Sequence, residues 1–151
     1  MTDNNQKNQP EPVSTAERNI DWFLQQLVEF ANSQMMTFGI TLNVGGILVS
    51  GTLVGGKRFF EGFAQDFADG FERTLGKTEG AAKIKEYLVQ YGKIYERPAD
   101  DPNVSDPTYI HLENAKFFSP AGQPIPTNRG MLWRGKIVAV DGFILGSLSA
   151  E

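Results

Sequence analysis

TFGITLNVGGILVSGTLV, residues 37–54, is the stretch that decides the fold. From Thr37 the apolar period is two: Phe38, Ile40, Leu42 and Val44 alternate with Gly39, Thr41 and Asn43, which puts the large apolar side chains on one face of a strand. Gly45-Gly46 offers the positive φ values of a tight hairpin turn. The β-branched run from Ile47 to Val54 then returns antiparallel, and Gly51 inside it predicts a bulge or a sharp bend.

On the N-terminal side, Ile20, Phe23, Leu24, Leu27, Val28 and Ala31 follow helical spacing and predict an amphipathic helix docked on the sheet. Ser14 precedes Glu17 by three residues, the spacing of a capping box, and predicts the start of that helix. Residues 1–12 are polar, carry Pro10 and Pro12, and are expected to form a disordered tail ahead of a single domain over residues 13–151.

On the C-terminal side, Gly55-Gly56 ends the second strand, and Phe59, Phe63, Phe67, Phe71 and Leu75 recur every four residues between acidic positions. A break over Gly76–Gly80 and a second helical period over Ala81–Tyr95 complete a two-helix insertion, residues 57–95, after strand two. RPADDPNVSDP, residues 97–107, is expected to be a mobile linker. Three more strands follow, at Tyr109–Phe118, Met131–Val140 and Phe143–Leu148, with a Pro-rich loop at Ser119–Asn128 and a turn at Asp141-Gly142. The expected fold class is α+β: a small five-stranded antiparallel barrel of Sm or SH3 type, or a curved sheet, with an N-terminal helix.

The 151 residues suffice for one real core. With no Cys, disulfides and thiolate metal sites are excluded. A net charge of -4 withholds the broad basic field on which sequence-independent nucleic-acid binding relies. No apolar run reaches membrane-spanning length and the N-terminus lacks the order of a secretory signal, so a cytoplasmic location is expected.

Gly51 to Lys57 has the G-x-x-x-x-G-K spacing that cradles phosphates, but Arg58 stands where a metal-binding hydroxyl belongs and the strand before it is half of a hairpin. His111, the only histidine, has no His or Cys to share a metal with and no evident orienting acid. Asp100, Asp101 and Asp106 lack the Gly and the terminal Glu of a calcium loop. No catalytic residue, cofactor or metal site is therefore assigned. The Phe59, Phe63, Phe67 and Phe71 stripe is either core or an apolar face for a partner, and Trp133 with Arg134 are residue types enriched at interface hot spots.

Two segments carry a resemblance. TLNVGGILVSGTLV, residues 41–54, and IHLENAK, residues 110–116, followed by LWRGKI, residues 132–137, and then by Asp141-Gly142-Phe143 and Gly146, resemble the gas vesicle accessory protein of the U type, the GvpU family, over roughly residues 36–149. The resemblance implies a non-enzymatic protein of gas vesicles that serves their assembly or their association, with gas vesicle shell proteins or other accessory proteins as partners. The same strands are similar to Sm-like proteins, with Leu132-Trp133-Arg134-Gly135 in the place of an I-R-G-like triplet. That likeness implies a homo-oligomer built by edge-strand pairing, and carries RNA binding as the alternative function; a nucleotide-binding enzyme at Lys57 is a third.

Overall fold

A computed structural model describes residues 19–96 and 101–148 of the chain. The expected tail, the Ser14 and Glu17 pair and the first part of the expected linker lie outside the described residues. The first helix, α1 (Trp22–Gln34), is started by Asp21, whose Oδ1 accepts from the amides of Phe23 at 2.8 Å and Leu24 at 3.3 Å. The helix that carries the expected buried face therefore begins at Trp22. Its face is the expected one: Leu24, Val28 and Ala31 are fully buried.

The hairpin forms as its period demands, with β1 (Phe38–Val44) and β2 (Ile47–Val54) paired from Phe38 opposite Leu53 to Val44 opposite Ile47. Gly45 and Gly46 turn it with φ of 61° and 87°, values that favour glycine. Then come α2 (Gly56–Leu75), α3 (Glu79–Val89) and a 3-10 turn at Gln90–Tyr95, where one helix to Tyr95 was expected. Ala64, Ala68 and Ala81 are buried, small side chains that let α2 and α3 approach closely.

After these helices the chain forms β3 (Tyr109–Phe118), a two-residue β4 (Pro124–Ile125) within the stretch expected to be loop, β5 (Met131–Lys136) and β6 (Gly142–Leu145). All pairings are antiparallel, and the path runs β4-β3-β2-β1-β6 with β5 also on β3. The fold is therefore α+β with a six-stranded antiparallel open sheet, not five strands. No ladder joins β5 to β6 among the described residues. The strand expected to reach Val140 stops at Lys136, because Ile137–Ala139 is a 3-10 turn that buries Ile137 and Val140 in the core. Asp141-Gly142 is consequently not a hairpin turn between neighbours. Asp141 instead reaches the β1–β2 turn, its Oδ2 accepting from Gly45 N at 2.9 Å.

The bulge expected at Gly51 sits on the neighbouring strand. Ser50 pairs with Lys116 but Thr52 with Glu113, and Leu112 pairs with Trp133 but Ala115 with Met131, so β3 carries one extra residue against both partners. Asn114, at φ 53°, is within that bulge. Gly51 is where the bulged backbone comes close: a Cβ there would lie 2.8 Å from the Glu113 carbonyl oxygen.

One sheet face packs with α1 into the core, where Leu24, Val28 and Ala31 meet Ile40, Leu42, Val49, Leu53, Ile110 and Leu112. The opposite face has a polar floor. Thr41 Oγ1 donates to the Gly146 carbonyl at 2.9 Å, so its 2.9 Å contact with Ser50 Oγ is one in which Ser50 donates; Ser50 Oγ in turn accepts from the Leu148 amide. The end of the described chain is thereby folded back over the sheet, and β6 stops at Leu145 rather than continuing to Leu148.

Candidate protein-interaction surface and the Arg134 cleft

The Phe stripe of α2 divides along its length. Phe59 is 5% exposed and its ring centroid lies 4.6 Å from that of His111, so the first turn is core. Gly62 brings α2 against Leu132 of β5. Beyond this point the helix clears the sheet: Phe63 is 40% and Phe67 49% exposed, stacked at 6.3 Å, while Phe71 is half-buried. Phe63 and Phe67 line an open groove of about 760 Å³ whose far wall is Gly130, Met131 and Leu132, with Asp66, Asp69, Arg73, Glu113 and Arg129 about it. Met131 is itself 61% exposed. The groove therefore has an apolar floor within a ring of mixed charge.

Trp133 and Arg134 separate. Alternation along β5 turns Trp133 to the core face, where it is half-buried and lies across Gly135. Arg134 faces the other way, with Leu132. His111 and Arg134 are register partners on β3 and β5, and Arg134 Nη1 lies 2.6 Å from His111 Nε2. The guanidinium stacks over Tyr109, 3.8 Å from the ring centroid, and Nη1 also reaches Tyr95 Oη at 3.4 Å. His111 is fully buried among Phe59, Phe60 and Tyr95. Burial first, and the Arg134 charge second, push its pKa from 6.5 down to about 3. The histidine is a neutral structural acceptor.

Neither the sequence period nor any motif foretold this constellation, because Tyr95, Tyr109, His111 and Arg134 arrive from three separate elements. The one available signal was register: had β3 and β5 been aligned, His111 would have stood opposite Arg134. Arg134 and Tyr109 border a cleft of about 290 Å³ between the end of α1, the 3-10 turn and residues 104–108. Gln25 Nε2 holds one wall through the Pro107 carbonyl at 3.0 Å.

The phosphate-loop spacing has a different use. Gly56 N–H donates to Asn32 Oδ1 at 2.9 Å, and Lys57 is paired with Glu96 at 3.0 Å, which raises its pKa. Arg58 is held by Glu113, through Nε at 3.0 Å and through Nη2. The Gly56 N–H and the Lys57 and Arg58 side chains are thus engaged within the fold, by Asn32, Glu96 and Glu113. Among the described residues no cluster of three or more metal-ligating side chains occurs, and no helix is long and apolar enough to cross a membrane.

The profile of the family described as gas vesicle protein GvpU-like matches residues 21–148. The chain belongs to the GvpU-like family. The match begins at the residue that caps α1 and ends at the one tied to Ser50, so it takes in every described helix and strand. GvpU-like proteins are gas vesicle accessory proteins, and membership associates this GvpU-like chain with gas vesicle proteins. No curated protein and no solved structure matches the chain.

Proposed function

We propose that the chain is a non-enzymatic accessory protein that self-associates and binds gas vesicle shells or other accessory proteins, supporting vesicle assembly or clustering in the cytoplasm. The observation that carries this reading is the exposure of Phe63 and Phe67 in a groove walled by Met131 and Leu132. Two aromatic rings held half in water are an unfavourable arrangement for an isolated protein, and become favourable when a partner removes them from solvent. Trp133 is packed to the core side of β5, and Arg134 adds a polar contact from a separate cleft.

Among the described residues no strand pairs with the outer edges of β5 and β6, which supports self-association, since such an edge offers its backbone groups to a further strand. β6 also exposes Ile144 and Leu145. The curved-sheet form of the Sm or SH3 likeness, with α2 and α3 as an insertion after the second strand, belongs to this proposal and leaves both of those edges open. Weak contacts repeated over many copies then give strong attachment to a repetitive shell, by about 10² to 10⁴ in avidity where geometry permits.

Purified protein mixed with isolated gas vesicles is expected to rise with them under mild centrifugation, and the paired variant Phe63→Ser and Phe67→Ser to stay below while remaining folded. Wild-type protein that never rises at any concentration overturns shell binding. A monomer by light scattering overturns self-association.

A further inference from the structure

We propose that the cleft beside Arg134 is a binding site for a carboxylate carried on an extended polypeptide segment of a partner. The argument starts from how the guanidinium is held. It lies flat on Tyr109 at 3.8 Å, with Phe60 at 5.5 Å, and Nη1 is committed to His111 Nε2 and Tyr95 Oη. An arginine has five N–H donors, so among the described residues the edge formed by Nε and Nη2 is left over, and that edge matches the two oxygens of a carboxylate. Both ion pairs among the described residues, Lys57 with Glu96 and Arg58 with Glu113, leave Arg134 out. A cation fixed on three sides and still borne at a cleft has already lost the side-chain freedom that binding normally costs.

The shape of the cleft selects the ligand. It adjoins a second cleft of about 220 Å³, with Asn32, Ser33 and Tyr95 lining both, and two clefts side by side suit an extended chain better than a compact metabolite. Ser33 and Thr108 give polar wall and Val104 and Pro107 apolar wall. Asp106 borders the same cleft, which disfavours a polyanion such as a nucleic-acid backbone while leaving room for one carboxylate over the arginine. The cleft adds a contact to the partner-binding reading above, and rests on that reading for the partner being a protein.

The test is an NMR titration of the full chain with acetyl-Gly-Val-Glu-Val-Gly-amide and with the same peptide carrying Gln for Glu. The Arg134 Nε–H signal and the amides of Ser33 and Thr108 are expected to move saturably with the Glu peptide, and the Gln peptide to bind about tenfold more weakly or worse. Equal binding of the two peptides, or no movement with either, overturns the site. Arg134→Lys keeps the charge and loses the fork; about a tenfold loss for the Glu peptide is expected, with Leu24 and Ile40 signals unchanged, and undiminished affinity overturns the role of the fork. Oligouridylate moving the same signals at lower concentration than the Glu peptide would reassign the cleft to phosphate. Vesicle flotation separates the two proposals: peptide binding without flotation sinks shell binding alone, and flotation without peptide binding sinks the cleft alone.

Discussion

Arg134 Nη1 lies 2.6 Å from His111 Nε2, and since a guanidinium can only donate, the histidine accepts at Nε2 and carries its proton on Nδ1. That proton has no hydrogen-bond acceptor among the described residues and lies in an aromatic enclosure of Phe59, Phe60 and Tyr95. A second proton on this ring would place a buried cation against the Arg134 cation.

Acid should therefore unfold the chain partly through His111. The folded pKa is about 3 and the unfolded value 6.5, so within this window the unfolded state binds the extra proton. Stability is unaffected by this group above pH 6.5 and falls as the pH drops below it. Between pH 7 and pH 5 the loss amounts to about 2 kcal/mol, at about 1.4 kcal/mol per unit below 6.5. Urea titrations at the two pH values measure it, and His111→Gln is expected to flatten the difference; an unchanged difference in the variant would assign the acid sensitivity to other groups.

The glycines of the hairpin differ in what they tolerate. Gly45→Asn places a residue at home with positive φ where no atom lies within 4 Å of a new Cβ, and is expected to change stability by less than about 0.5 kcal/mol. Gly51→Ala drives a methyl to 2.8 Å from the Glu113 carbonyl oxygen and 3.1 Å from Ala115 Cα, backbone on which the β3 bulge depends. A loss of about 1 to 3 kcal/mol is expected by chemical denaturation. Gly130→Ala meets the same bulge from the other side, 2.3 Å from the Asn114 carbonyl carbon, and should behave likewise.

Ser50→Ala removes the hydroxyl that donates to Thr41 and accepts from Leu148. Both partners lose a contact at the polar floor, at an expected cost of about 1 to 3 kcal/mol. Faster hydrogen exchange at the Leu148 amide, with Leu24 and Ile40 still protected, would show that this hydroxyl ties down the chain end; uniform loss of protection would show a global effect instead.

Strands, helix faces and the division of labour along α2 were legible to different degrees. The alternation over Phe38–Val44 and the Gly45-Gly46 pair specified the hairpin locally, because side-chain period and turn φ are properties of neighbours in the chain. The helical period likewise marked Leu24, Val28 and Ala31 as the buried face of α1. The same period could not say whether Phe63 and Phe67 are buried, since a stripe of constant spacing looks alike over a sheet and beyond its edge. That outcome depends on where α2 leaves the sheet, near Leu132, which lies 70 residues further along the chain than Gly62.

By itself the sequence determined the hairpin, the docked helix, the two helices after it and the resemblance to gas vesicle accessory proteins, all carried by short-range periodicity or by residue strings. Tertiary structure alone decided that the bulge belongs to β3, that Asp141 locks a turn far from it in sequence, and that His111, Tyr95, Tyr109 and Arg134 form one cluster. Each of these depends on strand register and crossover, which are fixed by burying a common core between elements remote in sequence, and no local pattern of residues encodes that distance.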